Sequence, residues 1–174
     1  DYNDILRIAF MYKFGRAKLK DLVNLLGGRD FETREYKALI AEESFAKLSE
    51  GVIDFMNQYT FANFILGIKG AGFISNKLIN SQITLDFAYT LYLLLNNDNA
   101  IEKSQIKHYV AKWFVMSTLT SRYIGSPESQ MDFDIKRIRE KGFPTFFREV
   151  EEVSLSETFW NIRLVQLLET QVIN

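Results

Sequence analysis

Apolar residues recur at intervals of three and four along almost the whole chain, and this spacing restricts the fold more than any other feature of the sequence. Residues three and four apart share one face of an α-helix, whereas a half-buried strand needs an alternation with period two. No strong alternation of that kind is present. The sequence therefore predicts an all-α protein of about eight helices. We treat residues 1–174 as one helical domain because no linker or break in composition divides them.

Apolar faces and capping residues predict where the helices begin and end. The helix that ends at Gly27-Gly28 should bury one face, formed by Leu19, Leu22, Val23 and Leu26, and the helix over 33–57 another that includes Phe45 and Met56. We expect the nearly all-apolar helix over 81–95 to be the most buried, and Trp113 to lie in the core. The predicted helices span residues 4–14, 17–26, 33–57, 60–66, 81–95, 106–123, 126–141, 145–153 and 156–170.

The composition excludes much catalytic chemistry. The chain has no Cys and a single His, His108, so no thiolate metal site and no pair of imidazoles can form. Acidic groups such as Asp132 with Asp134 are expected to lie on solvated helix faces. Gly67, Gly70 and Gly72 match no phosphate-binding motif and are interpreted as helix terminators. We therefore predict no catalytic residue, no metal site and no cofactor in this chain, which is not expected to be an enzyme alone.

Membrane insertion is not expected from this sequence. The longest dense apolar stretch, residues 87–95, is far shorter than the roughly 20 residues that cross a bilayer. No secretion signal is visible at the first residues, so we expect a cytoplasmic location. The first residue is not Met, which leads us to expect a fragment of a longer multidomain protein.

Basic residues near the start of the chain are the best candidates for contact with nucleic acid. Lys and Arg number 21 against 22 Asp and Glu, so only a local patch could attract a polyanion. Four cations lie within eight residues without an intervening acid, and two more follow. A basic helix face that simply meets solvent is the alternative interpretation. The six candidates are Lys13, Arg16, Lys18, Lys20, Arg29 and Arg34.

A second motif joins a helix end, a glycine turn and a helix start. It contains Arg122-Tyr123, then Gly125, then Ser126-Pro127-Glu128, in which Ser and Pro are typical of the first helical positions. Arg122 is expected to pair with a nearby carboxylate such as Glu128, or else to point outward to a phosphate. We favour the structural pairing.

The segment from Trp113 to Gln130, followed by Asp132-Phe133-Asp134-Ile135, resembles the helical region of GmrSD-like proteins. This bacterial family comprises modification-dependent (type IV) restriction enzymes and related phage-defence proteins. Similar elements occur in the same order elsewhere, among them Phe14-Gly15-Arg16 and Phe159-Trp160-Asn161.

The resemblance implies a position between two catalytic domains of such a protein. The family carries an Asp-Gly-Gln-Gln-Arg motif in a ParB-like N-terminal domain and a His-Asn-His nuclease in a C-terminal domain, and neither motif occurs in this chain. We therefore expect a non-catalytic helical scaffold or linker that contacts DNA backbone, within a nucleotide-dependent endonuclease. The implied partners are the flanking domains and DNA. The alternative is a helical protein interaction or self-association module, with a second copy as partner, unrelated to nucleic acid.

Overall fold

Helices build the whole architecture of residues 1–75, 79 and 81–172, which are the residues that the computed structural model describes. Strands are absent from these residues, and a single isolated bridge joins Arg29 to Tyr36. The predicted all-α class is therefore confirmed. Within the same residues, none of the helices combines the length and the apolar character that crossing a membrane requires.

Nine α-helices and one π-helical turn follow one another in the described residues. They are α1 (Tyr2–Phe14), α2 (Leu19–Leu26), α3 (Ala38–Phe55), α4 (Gln58–Gly70), α5 (Gln82–Asn96), α6 (Lys103–Leu119), α7 (Pro127–Lys141), α8 (Phe143–Ser154), the π-helical turn Phe159–Arg163 and α9 (Leu164–Val172).

Helix α5 lies at the centre of the fold and contacts α1, α4 and α6. Its start is fixed by Ser81, whose hydroxyl oxygen accepts a hydrogen bond from the Thr84 N–H. Every residue from Asp86 to Leu93 is buried, because the helix is apolar on nearly all sides and has neighbours on several of them. The predicted burial of this helix is confirmed.

Trp113 on α6 is fully buried in the larger core cluster. Its ring lies 5.4 Å from that of Phe146 and 5.9 Å from that of Phe143, both on α8, and 6.0 Å from that of Phe87 on α5 (centroid distances). Tilted and edge-to-face pairs at such distances add to the stabilisation from buried apolar area. The prediction that Trp113 belongs to the core is confirmed.

A smaller core lies between α1, α2 and α3. Helix α3 approaches α1 closely at Gly51, where a Cβ atom would lie 3.1 Å from the Ala9 side chain. In α2, Leu22 and Leu25 face this core, whereas Val23 is exposed, so the predicted buried face was wrong by part of a turn. The reason is that α2 is short and is covered on one side only, by α1 and α3.

Three predicted boundaries on the N-terminal side were also wrong. Helix α3 begins at Ala38 because Asp30 stabilises a preceding turn, accepting hydrogen bonds from the N–H groups of Glu32 and Thr33. Helix α4 is capped by Asn57, and it continues through Gly67 to Gly70 instead of ending at Leu66.

Three apolar residues predicted to be buried are exposed, namely Leu26, Phe45 and Met56. Trp160, Leu167 and Leu168 in the C-terminal helical segment are exposed as well. Helix α6 ends at Leu119, four residues before its predicted end, and α8 starts two residues early at Phe143. Among residues 156–169, whose burial the structure describes, only Phe159 is buried, so this part of the C-terminal helical segment meets the rest of the described fold mainly at its first turn.

Asp86 on α5 is a buried carboxyl group inside this apolar centre. Its Oδ1 accepts a hydrogen bond from the Gln82 amide at 2.8 Å, while its Oδ2 is buried without a partner among the described residues. Burial raises the pKa of Asp86 to about 7, and the negative charge of Asp4 adds to the rise. The hydrogen bond from Gln82 and the charge of Arg7 oppose it.

The raised pKa predicts that stability falls as pH rises. Between the unfolded pKa near 3.9 and about 7, the folded state holds the proton and the unfolded chain does not, so deprotonation disfavours folding by up to roughly 4 kcal/mol in total. Asp86→Asn removes this cost of deprotonation and keeps a side-chain oxygen that accepts the hydrogen bond from Gln82. Urea unfolding should show the variant more stable than the parent at pH 8 and nearly equal at pH 4. A variant less stable than the parent at pH 8 would contradict this assignment.

Candidate functional site

Arg122 forms a bidentate ion pair with Asp134, not with the predicted Glu128. Its Nε donates to Oδ2 at 2.8 Å and its Nη2 donates to Oδ1 at 2.6 Å. Glu128 instead lies 3.6 Å from the guanidinium of Arg7 on α1. The structural role favoured for Arg122 is supported by this geometry, but the named partner was wrong.

Asp134 was also wrongly predicted to lie on a solvated face. It is fully buried, and it accepts two further hydrogen bonds, from the Tyr123 hydroxyl at 2.9 Å and the Gln130 amide at 2.9 Å. The Trp113 indole in turn donates to the Tyr123 hydroxyl at 3.2 Å. The carboxylate therefore joins the turn after α6, the second turn of α7 and the aromatic core.

The electrostatics of this network favour the ionised pair. Burial lowers the pKa of Arg122, but the hydrogen bonds and charge of Asp134 outweigh it, so the pKa lies above its ordinary value. Burial and the same carboxylate raise the pKa of the Tyr123 hydroxyl well above its usual range. Tyr123 thus stays protonated and donates its hydrogen bond over the whole physiological pH range.

The rest of the motif shapes the turn into α7. Gly125 has φ +92°, a backbone conformation that residues with a side chain rarely adopt. Pro127 occupies the first turn of α7, as predicted, but the hydroxyl of Ser126 makes no capping hydrogen bond. Helix α7 ends at Lys141 before Gly142, which confirms that predicted boundary.

The predicted basic patch is divided in the structure. Lys13 points toward α3, where its ammonium lies 2.8 Å from Asp54 and 3.6 Å from Glu50. The hydrogen bond to Asp54 raises the pKa of Lys13, against a smaller opposing effect of burial. Lys18 is absent from both of the surface depressions at which the other four candidates lie.

The remaining four candidates line two neighbouring surface depressions, and Phe31 belongs to both. Arg16 lines a depression of about 490 Å³, and Lys20, Arg29 and Arg34 line one of about 290 Å³. The Arg16 guanidinium lies 4.9 Å from the centre of the Phe31 ring and pairs with Asp21 at 2.9 Å.

Two cations that sequence reasoning missed complete this surface. Lys136 and Arg139 on α7 line the same depression as Arg16. Arg139 lies against Gly15, and its guanidinium occupies the space that a Cβ atom would need there. No local sequence signal could have indicated this contact, because 124 positions separate the two residues. We call the six cations Arg16, Lys20, Arg29, Arg34, Lys136 and Arg139, with Phe31, the Phe31 surface.

The Phe31 surface also contains carboxylates, and their arrangement decides which cations are available. Asp30 and Asp132 accept hydrogen bonds from backbone N–H groups, and Asp21 pairs with Arg16. Glu32 and Glu140 line the Arg16 side as well. Among the described residues, four of the six cations have no carboxylate within 4.0 Å, namely Lys20, Arg29, Arg34 and Arg139.

An apolar groove lies between α4, α6 and the C-terminal segment. Its volume is about 570 Å³, and its walls include Gly67, Ala111, Val115 and Trp160. His108 lines this groove. The described residues contain no group of three or more side chains placed to hold a metal ion.

Comparisons with models of protein families, with curated proteins and with solved structures gave no match to this chain.

The bidentate pair between Arg122 and Asp134 predicts that even a substitution that keeps the positive charge lowers the free energy of unfolding. Arg122→Lys retains the cation but cannot reproduce the two-pronged hydrogen bond, so we expect a loss of roughly 1.5–3 kcal/mol in the free energy of unfolding. Arg137→Lys is the matched control, because Arg137 pairs with Glu140 and Glu149 at a partly exposed site. Its cost should stay below about 0.5 kcal/mol. Equal losses in urea unfolding would show that the fork geometry is unimportant.

Proposed function

We propose that this chain is a non-catalytic helical scaffold of a GmrSD-like restriction or phage-defence protein, and that its Phe31 surface contacts the phosphate backbone of DNA. The resemblance around Arg122 to Glu128 supports the family. The observation that carries the DNA contact is the group of four cations without carboxylate partners around Phe31. In this proposal, nucleotide hydrolysis and DNA cleavage belong to the flanking domains of the longer polypeptide.

The Phe31 surface suits backbone contact better than base recognition. Its cations come from the segment after α1, from α2, from the turn before α3 and from α7, so they are spread over a surface and do not follow one helix face. Spread cations neutralise phosphates without reading sequence, which fits a scaffold that holds duplex near a catalytic domain. The balanced net charge of the chain means that this contact depends on local geometry.

A second candidate function is self-association or protein binding through the apolar groove. Two small residues, Gly67 and Ala111, line the groove and allow a helix to approach closely. The C-terminal helical segment, whose Trp160 lines this groove, exposes further apolar side chains, among them Ile162, Val165 and Leu168. A second copy of the chain could therefore supply a helix of suitable character.

Salt dependence of DNA binding separates the two candidates. Each phosphate contact contributes about 0.9 to the slope of log affinity against log salt, so the chain should bind duplexes of different sequence alike and lose affinity steeply with salt. The double variant Arg29→Gln/Arg34→Gln should reduce that slope by about 2. Fluorescence anisotropy with a short labelled duplex measures both effects. Arg148→Gln, an exposed cation on α8 away from the Phe31 surface, is the matched control.

DNA contact would be refuted if the double variant and the control behaved alike. Sedimentation then tests the second candidate, because Val115→Asp places a charge in the groove and should shift a self-associating chain toward monomer. A chain that is monomeric at all concentrations, with or without this substitution, would exclude self-association through the groove.

A further inference from the structure

A separate polar cavity opens beside the Arg122 network, between the turn after α6, the end of α8 and the π-helical turn. Its volume is about 410 Å³. Among the described residues that line it, none carries a carboxylate. The polar groups that matter for its chemistry are Ser121, Arg122, Ser154, Ser156, Thr158 and Arg163.

Two uncommon backbone conformations flank this one cavity. Ser121 has φ +54°, in the left-handed region that residues other than Gly, Asn and Asp rarely occupy. On the facing wall, Phe159–Arg163 form a π-helical turn, a conformation that is rare and frequent at functional sites. Strained backbone persists where the surrounding structure holds it and where its geometry serves a purpose. Their coincidence at one cavity is the first observation that indicates a binding site.

The cavity also offers hydrogen-bond donors that are not used within the described fold. Arg122 bonds Asp134 through Nε and Nη2, which leaves Nη1 without a hydrogen bond. Arg163 has no ion pair among the described residues. The hydroxyls of four further lining residues make no hydrogen bond within the described fold, namely Ser121, Ser154, Ser156 and Thr158. The second observation is therefore a set of donor groups that line one cavity and have no acceptor among the described residues.

We propose that this cavity binds the phosphate group of a small phosphorylated ligand. The charge of Arg122 is balanced by Asp134, but that of Arg163 is unbalanced, so the cavity favours an anion. A phosphate monoester presents three acceptor oxygens, which two guanidinium groups and several hydroxyls can satisfy together. A metal cation is disfavoured by the absence of any carboxylate in the lining.

The ion pair with Asp134 gives Arg122 a positioning role in this site. A guanidinium fixed by two hydrogen bonds and placed 5.2 Å from the centre of the Trp113 ring loses little freedom when it binds a ligand. The volume exceeds that of a single phosphate and falls within the usual range of small-molecule pockets, about 300–1,000 Å³. The cavity thus has room for the organic part of the ligand beside the buried ring of Phe159.

The proposal is independent of the Phe31 surface, with which the cavity shares no lining residue. Titration calorimetry of the chain with inorganic phosphate and with adenosine monophosphate tests it. We expect saturable binding of both probes, and Arg163→Gln should weaken it at least tenfold. Arg148→Gln removes an exposed cation outside the cavity and should leave the affinity within twofold.

Ser121→Gly gives a second readout that a purely structural role would not produce. Glycine relieves the left-handed strain, so the thermal midpoint should rise, while loss of the hydroxyl should weaken phosphate binding several-fold. Stability and affinity are thus expected to move in opposite directions. A higher midpoint with unchanged phosphate affinity would contradict the assignment of Ser121 as a donor to the ligand.

Three results would overturn the proposal. Binding of neither probe would do so, as would equal losses in Arg163→Gln and Arg148→Gln. If Arg163→Gln weakened duplex DNA binding as much as Arg29→Gln/Arg34→Gln, the phosphate in the cavity would belong to DNA backbone and not to a small ligand. Failure of DNA binding at the Phe31 surface alone would leave the calorimetric result intact.

Discussion

The ion pair between Arg122 and Asp134 links the turn after α6, helix α7 and the aromatic core through one buried carboxylate. It closes the turn after α6 onto α7, and through Tyr123 it reaches Trp113 in the aromatic core. A buried carboxylate needs full compensation, and this one receives two hydrogen bonds from Arg122 and one each from Tyr123 and Gln130. The same pair leaves part of the guanidinium facing the polar cavity.

Local patterns in the sequence predicted local structure well. Helix class, the burial of α5 and Trp113, and the span of α7 follow from periodicity and from residues such as Pro127 and Gly142, whose backbone preferences act where they stand. Side-chain contacts that depend on tertiary packing could not be predicted from the sequence. Nothing in the sequence selects Asp134 over Glu128 as the partner of Arg122, because both are acidic residues of α7 and only the side-chain directions in the folded state differ.

In the candidate site, too, the local sequence predicted part of the arrangement, and tertiary contacts decided the rest. Four of the six basic residues predicted near the N-terminus do come together, but Lys13 turns to α3, whose acids follow about 40 residues later. Arg139 joins them because Gly15 leaves room for its guanidinium. A run of basic residues along the chain therefore predicted only part of this basic surface. The polar cavity gave no sequence signal, since its residues come from three separated segments and its strained Ser121 resembles any other serine.

A double-mutant cycle on the Arg122–Asp134 pair tests the central claim most directly. The free energies of unfolding would be measured in urea for the parent, Arg122→Met, Asp134→Asn and the double variant. If the pair connects the fold as described, each single change should cost about 3–5 kcal/mol, and the double variant should cost less than their sum by at least about 1 kcal/mol. A coupling energy below about 0.5 kcal/mol, as for an exposed pair, would contradict the account.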